Sequence, residues 1–230
     1  KFKECLKIDP SNAAAQYELA GIYRFSGLYE EALKFSKSAA LGDPKNEWYQ
    51  LLYIECLHNK KMYNEAADAY EKLLKDYPDK IDYYRELAEE YTYAANYQKA
   101  IKTYDRMGAK FGKTAEVYLS KIKLLRQLKK NDEAITELKS LIKEYPDETN
   151  YYTYLAEIYQ SSGQNDKAME VYKKLMEVDP SNPYVHLAMA DFYRQQQKDA
   201  DFLKEVKIAF KSQDLEIDQK VKILISFYTL

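Results

Sequence analysis

The chain has 230 residues, and its 35 Lys and Arg nearly balance 37 Asp and Glu, for a formal net charge of −2. That balance, with a pI near 5.9, argues against a dedicated nucleic-acid binder. A mean hydropathy of −0.65, with no run approaching about 18 apolar residues, excludes a membrane-spanning helix in this segment. Two Cys cannot make a disulfide framework or a structural zinc site, and six Gly are too few for a fold built on phosphate loops.

A repeat organises what remains. Pro10, Pro44, Pro78, Pro146 and Pro180 lie at multiples of 34, with Gly112 in the vacant slot. Ala32, Ala66, Ala100, Ala134 and Ala168 keep the same beat, as do Tyr23, Leu57, Tyr91, Leu125, Tyr159 and Tyr193. Within a period the apolar spacing is helical: Tyr84, Leu87, Ala88 and Tyr91 fall on one face, and Ala100, Tyr104 and Met107 on another. Each unit therefore reads as two helices, with a short break at Gly27, Gly163 or Asn131-Asp132 between them.

In chain order, residues 1–12 fit the second half of a partial unit through Phe2, Cys5 and Pro10. Full units are expected at 13–46, 47–80, 81–114, 115–148, 149–182 and 183–216. In the fourth, Lys121 stands in a leucine slot, so its stem must snorkel past the interface. At the head of the sixth, Asn182 is placed as N-cap with Pro183 as first helical residue. The sixth also carries Phe202 where a small alanine belongs, so its second helix should tilt or shift. Residues 217–230, with Ile223, Leu224 and Phe227, read as a first helix without a second. With no initiator Met and no polar capping unit, the chain is expected to be a piece of a longer array.

These residues resemble the tetratricopeptide repeat (TPR) family. The match is Leu19-Ala20, Tyr23, Gly27, Tyr29, Ala32, Ala39 and Pro44 in the first full unit. The third gives Tyr84, Leu87-Ala88, Tyr91, Tyr97, Ala100 and Tyr104. The fifth gives Tyr152, Leu155-Ala156, Tyr159, Gly163, Ala168, Tyr172 and Pro180. The resemblance covers essentially the whole chain and implies an all-α, right-handed superhelical solenoid of antiparallel helix pairs, a single array of about six and a half units.

No catalytic set can be assembled. Gly108 to Thr114 imitates a phosphate loop, but Met107 occupies the position of the required first Gly and a helix precedes it; Gly112 is explained as a unit boundary. His58 and His186 stand too far apart to share a metal, and Cys5 and Cys56 lie in different units, beyond disulfide reach. Paired carboxylates such as Glu30-Glu31 and Glu89-Glu90 read as solvated helix faces. The chain is expected to be neither an enzyme nor a holder of any cofactor or metal.

Most of the 24 Tyr fill repeat slots; Tyr17, Tyr93, Tyr154, Tyr184 and Tyr228 do not. In the family, set positions of each first helix line the concave face. Carried onto this chain they hold Tyr17, Arg24, Phe25, Trp48, His58, Arg85, Tyr93, Lys123, Arg126, Tyr154, Tyr184 and Arg194. The first four of those tyrosines and the single Trp are among them, and aromatics with Arg suit protein recognition. The family's carboxylate clamp is missing, because Tyr17, Gly21, Leu52, Asp82 and Glu86 stand where it needs Lys, Asn and Arg. Lys123, Arg126 and Lys130 share a face but are flanked by Glu55, Glu86, Glu89 and Glu157, which suits an acidic side chain better than a nucleic acid. The resemblance thus implies a non-catalytic scaffold binding a protein or peptide in its groove. The alternative is a spacer that self-associates through open ends at Phe2, Ile223 and Phe227.

Overall fold

The computed structural model describes residues 1–228, and their side chains through residue 226, so the side chains of Phe227 and Tyr228 lie outside the described residues. The described residues form fourteen helices and no strand. They are α1 (Phe2–Ile8), α2 (Ala13–Phe25), α3 (Tyr29–Gly42), α4 (Glu47–Asn59), α5 (Tyr63–Asp76), α6 (Ile81–Tyr93) and α7 (Tyr97–Phe111). There follow α8 (Ala115–Gln127), α9 (Asn131–Glu144), α10 (Thr149–Ser161), α11 (Asn165–Val178), α12 (Pro183–Gln195), α13 (Asp199–Lys211) and α14 (Ile217–Tyr228). The chain divides into two compact units: one, Lys1–Leu128, holds α1 to α8, and the other, from Lys129 onward, holds α9 to α14. The division falls between α8 and α9, which the repeat pattern places in one unit. Each compact unit is described on its own below.

Local chemistry explains where the helices start. Asn12, Asn46 and Thr114 are N-caps whose side-chain oxygens accept from Ala15 N, Tyr49 N and Val117 N. Asn182 caps α12 in the same way, with Pro183 as the first helical residue, where its missing N–H costs no hydrogen bond. A second device recurs beside the prolines. Proline ends the preceding turn and leaves its own carbonyl without a helical partner. The side chain six residues later supplies one: Gln16 Nε2 donates to the Pro10 carbonyl at 2.7 Å, and Gln50 Nε2 to that of Pro44 at 3.3 Å. Tyr84 Oη does so to Pro78 at 3.2 Å and His186 Nε2 to Pro180 at 3.0 Å. Gln, Tyr and His are interchangeable here because the slot requires one donor at the end of a side chain of middling length.

The turn inside each pair is a left-handed cap. Gly27 (φ 73°) and Gly163 (φ 71°) adopt it freely; Lys61, Ala95, Lys129 and Gln197 adopt it at φ 56–59° with a Cβ in the way. Backbone bonds such as Asn96 N to Tyr91 O (2.8 Å) and Met62 N to Leu57 O (2.9 Å) hold these turns. The break expected at Asn131-Asp132 is therefore misplaced: the turn residue is Lys129, and Asn131 and Asp132 open α9. They are helix-starting residues as much as turn residues, and only the backbone tells the two uses apart. Because four turns carry strain that glycine would remove, Lys61→Gly and Ala95→Gly should each stabilise the chain by about 0.5–1 kcal/mol. Urea unfolding checks this, and a lowered midpoint would contradict it.

The small beat residues are the axis of packing. Ala32, Ala66, Ala100, Ala134 and Ala168 are all fully buried, as are Ala20, Ala88, Ala156 and Ala190 on the facing first helices. Around one such contact Ala20, Ala32, Leu52 and Cys56 form a cluster against which Tyr17, Tyr23, Leu33 and Phe35 pack. Phe202 is only half-buried where its counterparts are buried alanines, and α13 has 13 residues against 14 or 15 in α3, α5, α7, α9 and α11. Lys121 is buried, and its ammonium reaches Asp105 Oδ1 at 2.7 Å on the more exposed rim.

Candidate functional site

Within the first compact unit, three cavities follow one another along the first helices α2, α4, α6 and α8. The largest, about 700 Å³, lies between α2 and α4 and is lined by Tyr17, Ile22, Phe25, Trp48, Leu51 and Glu55 among others. Phe25 is 95% exposed and Trp48 68%, values that leave two large apolar side chains with no packing role. Tyr17 is held in place by the ring of Tyr49, centroid to centroid 5.0 Å. Arg24 Nε lies 3.3 Å from Glu55 Oε2, and these two side chains line the second cavity as well.

That second cavity, about 330 Å³, is lined by His58, Tyr70, Glu86, Glu89, Glu90 and Tyr93 besides Arg24 and Glu55. His58 Nδ1 is 2.7 Å from Glu90 Oε1, and its ring meets those of Tyr63 and Tyr93 edge-on at 5.4 and 5.1 Å. Tyr63 and Tyr93 stack on each other at 5.3 Å. Burial pushes the carboxyl of Glu90 above the ordinary range, against the pull of His58. Glu86 is raised too, first by burial and then by the charge of Glu89. Glu89 and Tyr93 continue into the third cavity, about 360 Å³, which adds Tyr104, Ser120 and Lys123 from α7 and α8.

The structure thus brings together seven of the residues expected on this face: Tyr17, Arg24, Phe25 and Trp48, then His58 and Tyr93, then Lys123. Arg85 is not among the lining residues. It is held by Asp82 at 2.6 Å and Glu116 at 2.5 Å. Arg126 is exposed near the end of α8. In the second compact unit Tyr154 and Tyr184 are exposed on α10 and α12, and Arg194 is half-buried with Nη2 2.6 Å from Asp191.

Glu90 corrects the sequence reading. It was expected on a solvated face, yet it is only 4% exposed. The signal was available in the repeat column: the residues one or more periods away are Ile22, Cys56, Leu124, Ile158 and Phe192, apolar in each case. Of that column Cys56, Leu124, Ile158 and Phe192 are buried like Glu90, and only Ile22, in the first full unit, is exposed. The segment from Gly108 to Thr114 spans the break between two helices, with Gly108 inside α7, Gly112 at its C-cap (φ 93°) and Thr114 capping α8. Cys5 is exposed and Cys56 buried, both as free thiols. Among the described residues no group of three or more His, Cys, Asp or Glu could hold a metal ion, and no helix is long and apolar enough to cross a membrane.

Known families and folds bear on this arrangement. Tetratricopeptide-repeat models match residues 26–90 and 116–148, and a further TPR model matches 157–197, together more than half of the chain. No curated protein sequence matches it. Among solved structures, a tetratricopeptide repeat protein from Parabacteroides merdae ATCC 43184 is similar at 21% identity and TM-score 0.51, over 97% of this chain and 88% of that one. YrrB, a TPR protein with an unusual peptide-binding site, is similar at 18% identity and TM-score 0.51, over 80% and 95%. A chain of Naa15/Naa10 bound to HypK-THB is similar at 17% identity and TM-score 0.69; this chain is covered to 97% and spans 36% of that one. The all-α helical-repeat fold, the 34-residue spacing of its helix starts and the three family matches agree: the chain belongs to the tetratricopeptide repeat family.

Proposed function

We propose that the chain is a protein-interaction scaffold that binds a polypeptide segment along the first-helix face of its first compact unit. One observation carries the reading: three adjoining cavities share their walls, and exposed Phe25 and Trp48 stand at the first of them. A segment lying across such a line would bury aromatic area at low entropy cost. The family is typically one of non-catalytic scaffolds, and YrrB, with its unusual peptide-binding site, and Naa15/Naa10 bound to HypK-THB agree in kind. Acidic Glu55, Glu86, Glu89 and Glu90 in the middle cavity repel a nucleic-acid backbone. Tyr154, Tyr184 and Arg194, on the first helices of the second compact unit, are proposed to serve recognition there in the same way. The 34-residue units of a single array remain part of the proposal.

The test is selection of a random peptide display library on the purified chain, followed by affinity measurement with Phe25→Ser/Trp48→Ala. Both side chains are exposed, so the variant should keep its helical signal while peptide affinity falls about tenfold or more. Unchanged affinity would overturn the reading. The end-face alternative predicts instead that the wild-type chain grows in sedimentation as concentration rises, and that polar replacement of Phe2 and Ile223 abolishes this.

A further inference from the structure

The middle cavity is chemically unlike its neighbours. Four carboxylates line it; Arg24 Nε lies 3.3 Å from Glu55, and His58 Nδ1 lies 2.7 Å from Glu90. Glu86 and Glu89 make no ion pair among the described residues. Glu90 goes further: it is 4% exposed, its Oε1 meets His58, and its Oε2 is buried with no hydrogen-bond partner. An orphaned carboxylate oxygen beside a cavity is costly unless something fills the need.

We propose that this cavity is a receptor for an arginine side chain of the bound polypeptide. The inference rests on the groove-binding reading and names the chemistry of its ligand. Net negative charge calls for a cation. The carboxylates do not converge closely enough for a metal ion, so the cation is an extended organic one. Guanidinium fits better than ammonium, because its planar fork can span two carboxylates while its face lies on an aromatic ring. Such a ring is present: Tyr93, 57% exposed, lines the cavity and is braced by Tyr63 and His58. The cavity is at the small end of ligand-pocket volumes, as a single side chain requires. It also shares walls with the cavities on either side, so its occupant is one side chain of a longer polypeptide and not a free small molecule. The raised carboxyls of Glu86 and Glu90 agree, since an arriving positive charge would favour their charged forms by direct attraction.

The test uses the full chain labelled with ¹⁵N and two probes, acetyl-Gly-Arg-Gly-amide and its citrulline counterpart, which has the same shape without the charge. The arginine peptide should shift backbone amides at residues 55–59 and 86–93, with the citrulline peptide weaker by about tenfold or more. Glu86→Gln/Glu89→Gln should lose the arginine response to a similar degree; both side chains are exposed, so the fold should survive. Equal responses to the two peptides, responses mapped elsewhere, no response at millimolar peptide, or an undiminished response in the double variant would each overturn the proposal. Library peptides that depend on Phe25 and Trp48 but are indifferent to Glu86→Gln/Glu89→Gln would leave groove binding standing and this inference refuted. Peptides indifferent to both variants would refute the groove itself.

Discussion

Replacing His186 by Tyr should destabilise the second compact unit by about 1–3 kcal/mol, the usual cost of leaving a buried polar group without its hydrogen-bond partner. His186 and Glu205 are both buried, with Nδ1 2.6 Å from Oε2. A tyrosine in this slot has a use for its hydroxyl already, since Tyr84 donates its own to the carbonyl of Pro78. His186→Tyr would do the same to Pro180 and leave Glu205 without a donor. The repeat also supplies the remedy: one period earlier the two positions hold Tyr152 and Val171. His186→Tyr/Glu205→Val should therefore recover stability to within about 1 kcal/mol of the starting chain, because replacing both partners of a buried polar pair can be nearly neutral. Urea unfolding of the three chains decides it, and a double variant no better than the single would show that the pair is not the source of the cost.

The second large effect belongs to the alanine beat. Ala100 is fully buried at the contact between α6 and α7, with Ala88 fully buried on the facing helix. Ala100→Leu inserts a branched side chain where the two backbones approach, and should cost about 1–3 kcal/mol. Ala109 is on the same helix but exposed, so Ala109→Leu should change stability by less than about 0.5 kcal/mol. The molecule carries its own version of the change at Phe202, half-buried on a shortened α13. Equal costs at Ala100 and Ala109 would mean that the helix faces are misassigned.

The fold was legible because the repeat states each packing choice several times over. A single alanine says little about a contact, but Ala32, Ala66, Ala100, Ala134 and Ala168 together define one. Boundaries were less so. Lys129 and Asn131 are both plausible in a turn, and only the backbone conformation places Lys129 at the left-handed position. At the candidate site, seven of the expected residues line the three cavities because first-helix spacing determines which side chains share a face. What failed was the treatment of charge. Glu89 and Glu90 are adjacent in sequence, yet a helix turns 100° between them, so one is exposed and the other buried. Arg85 was counted as a free anchor, but its partner Glu116 is 31 residues away, and such pairings are set by how neighbouring helices stack.

Hydrogen exchange of the chain with and without a library-selected peptide tests the central claim most directly. If the segment lies along the proposed line, binding should slow exchange in α2, α4 and α6 around residues 17–25, 48–58 and 86–93, and at 120–124 in α8. Exchange in α3, α5 and α7 should stay unchanged. Protection confined to those second helices, or to the chain ends near Phe2 and Ile223, would contradict the account.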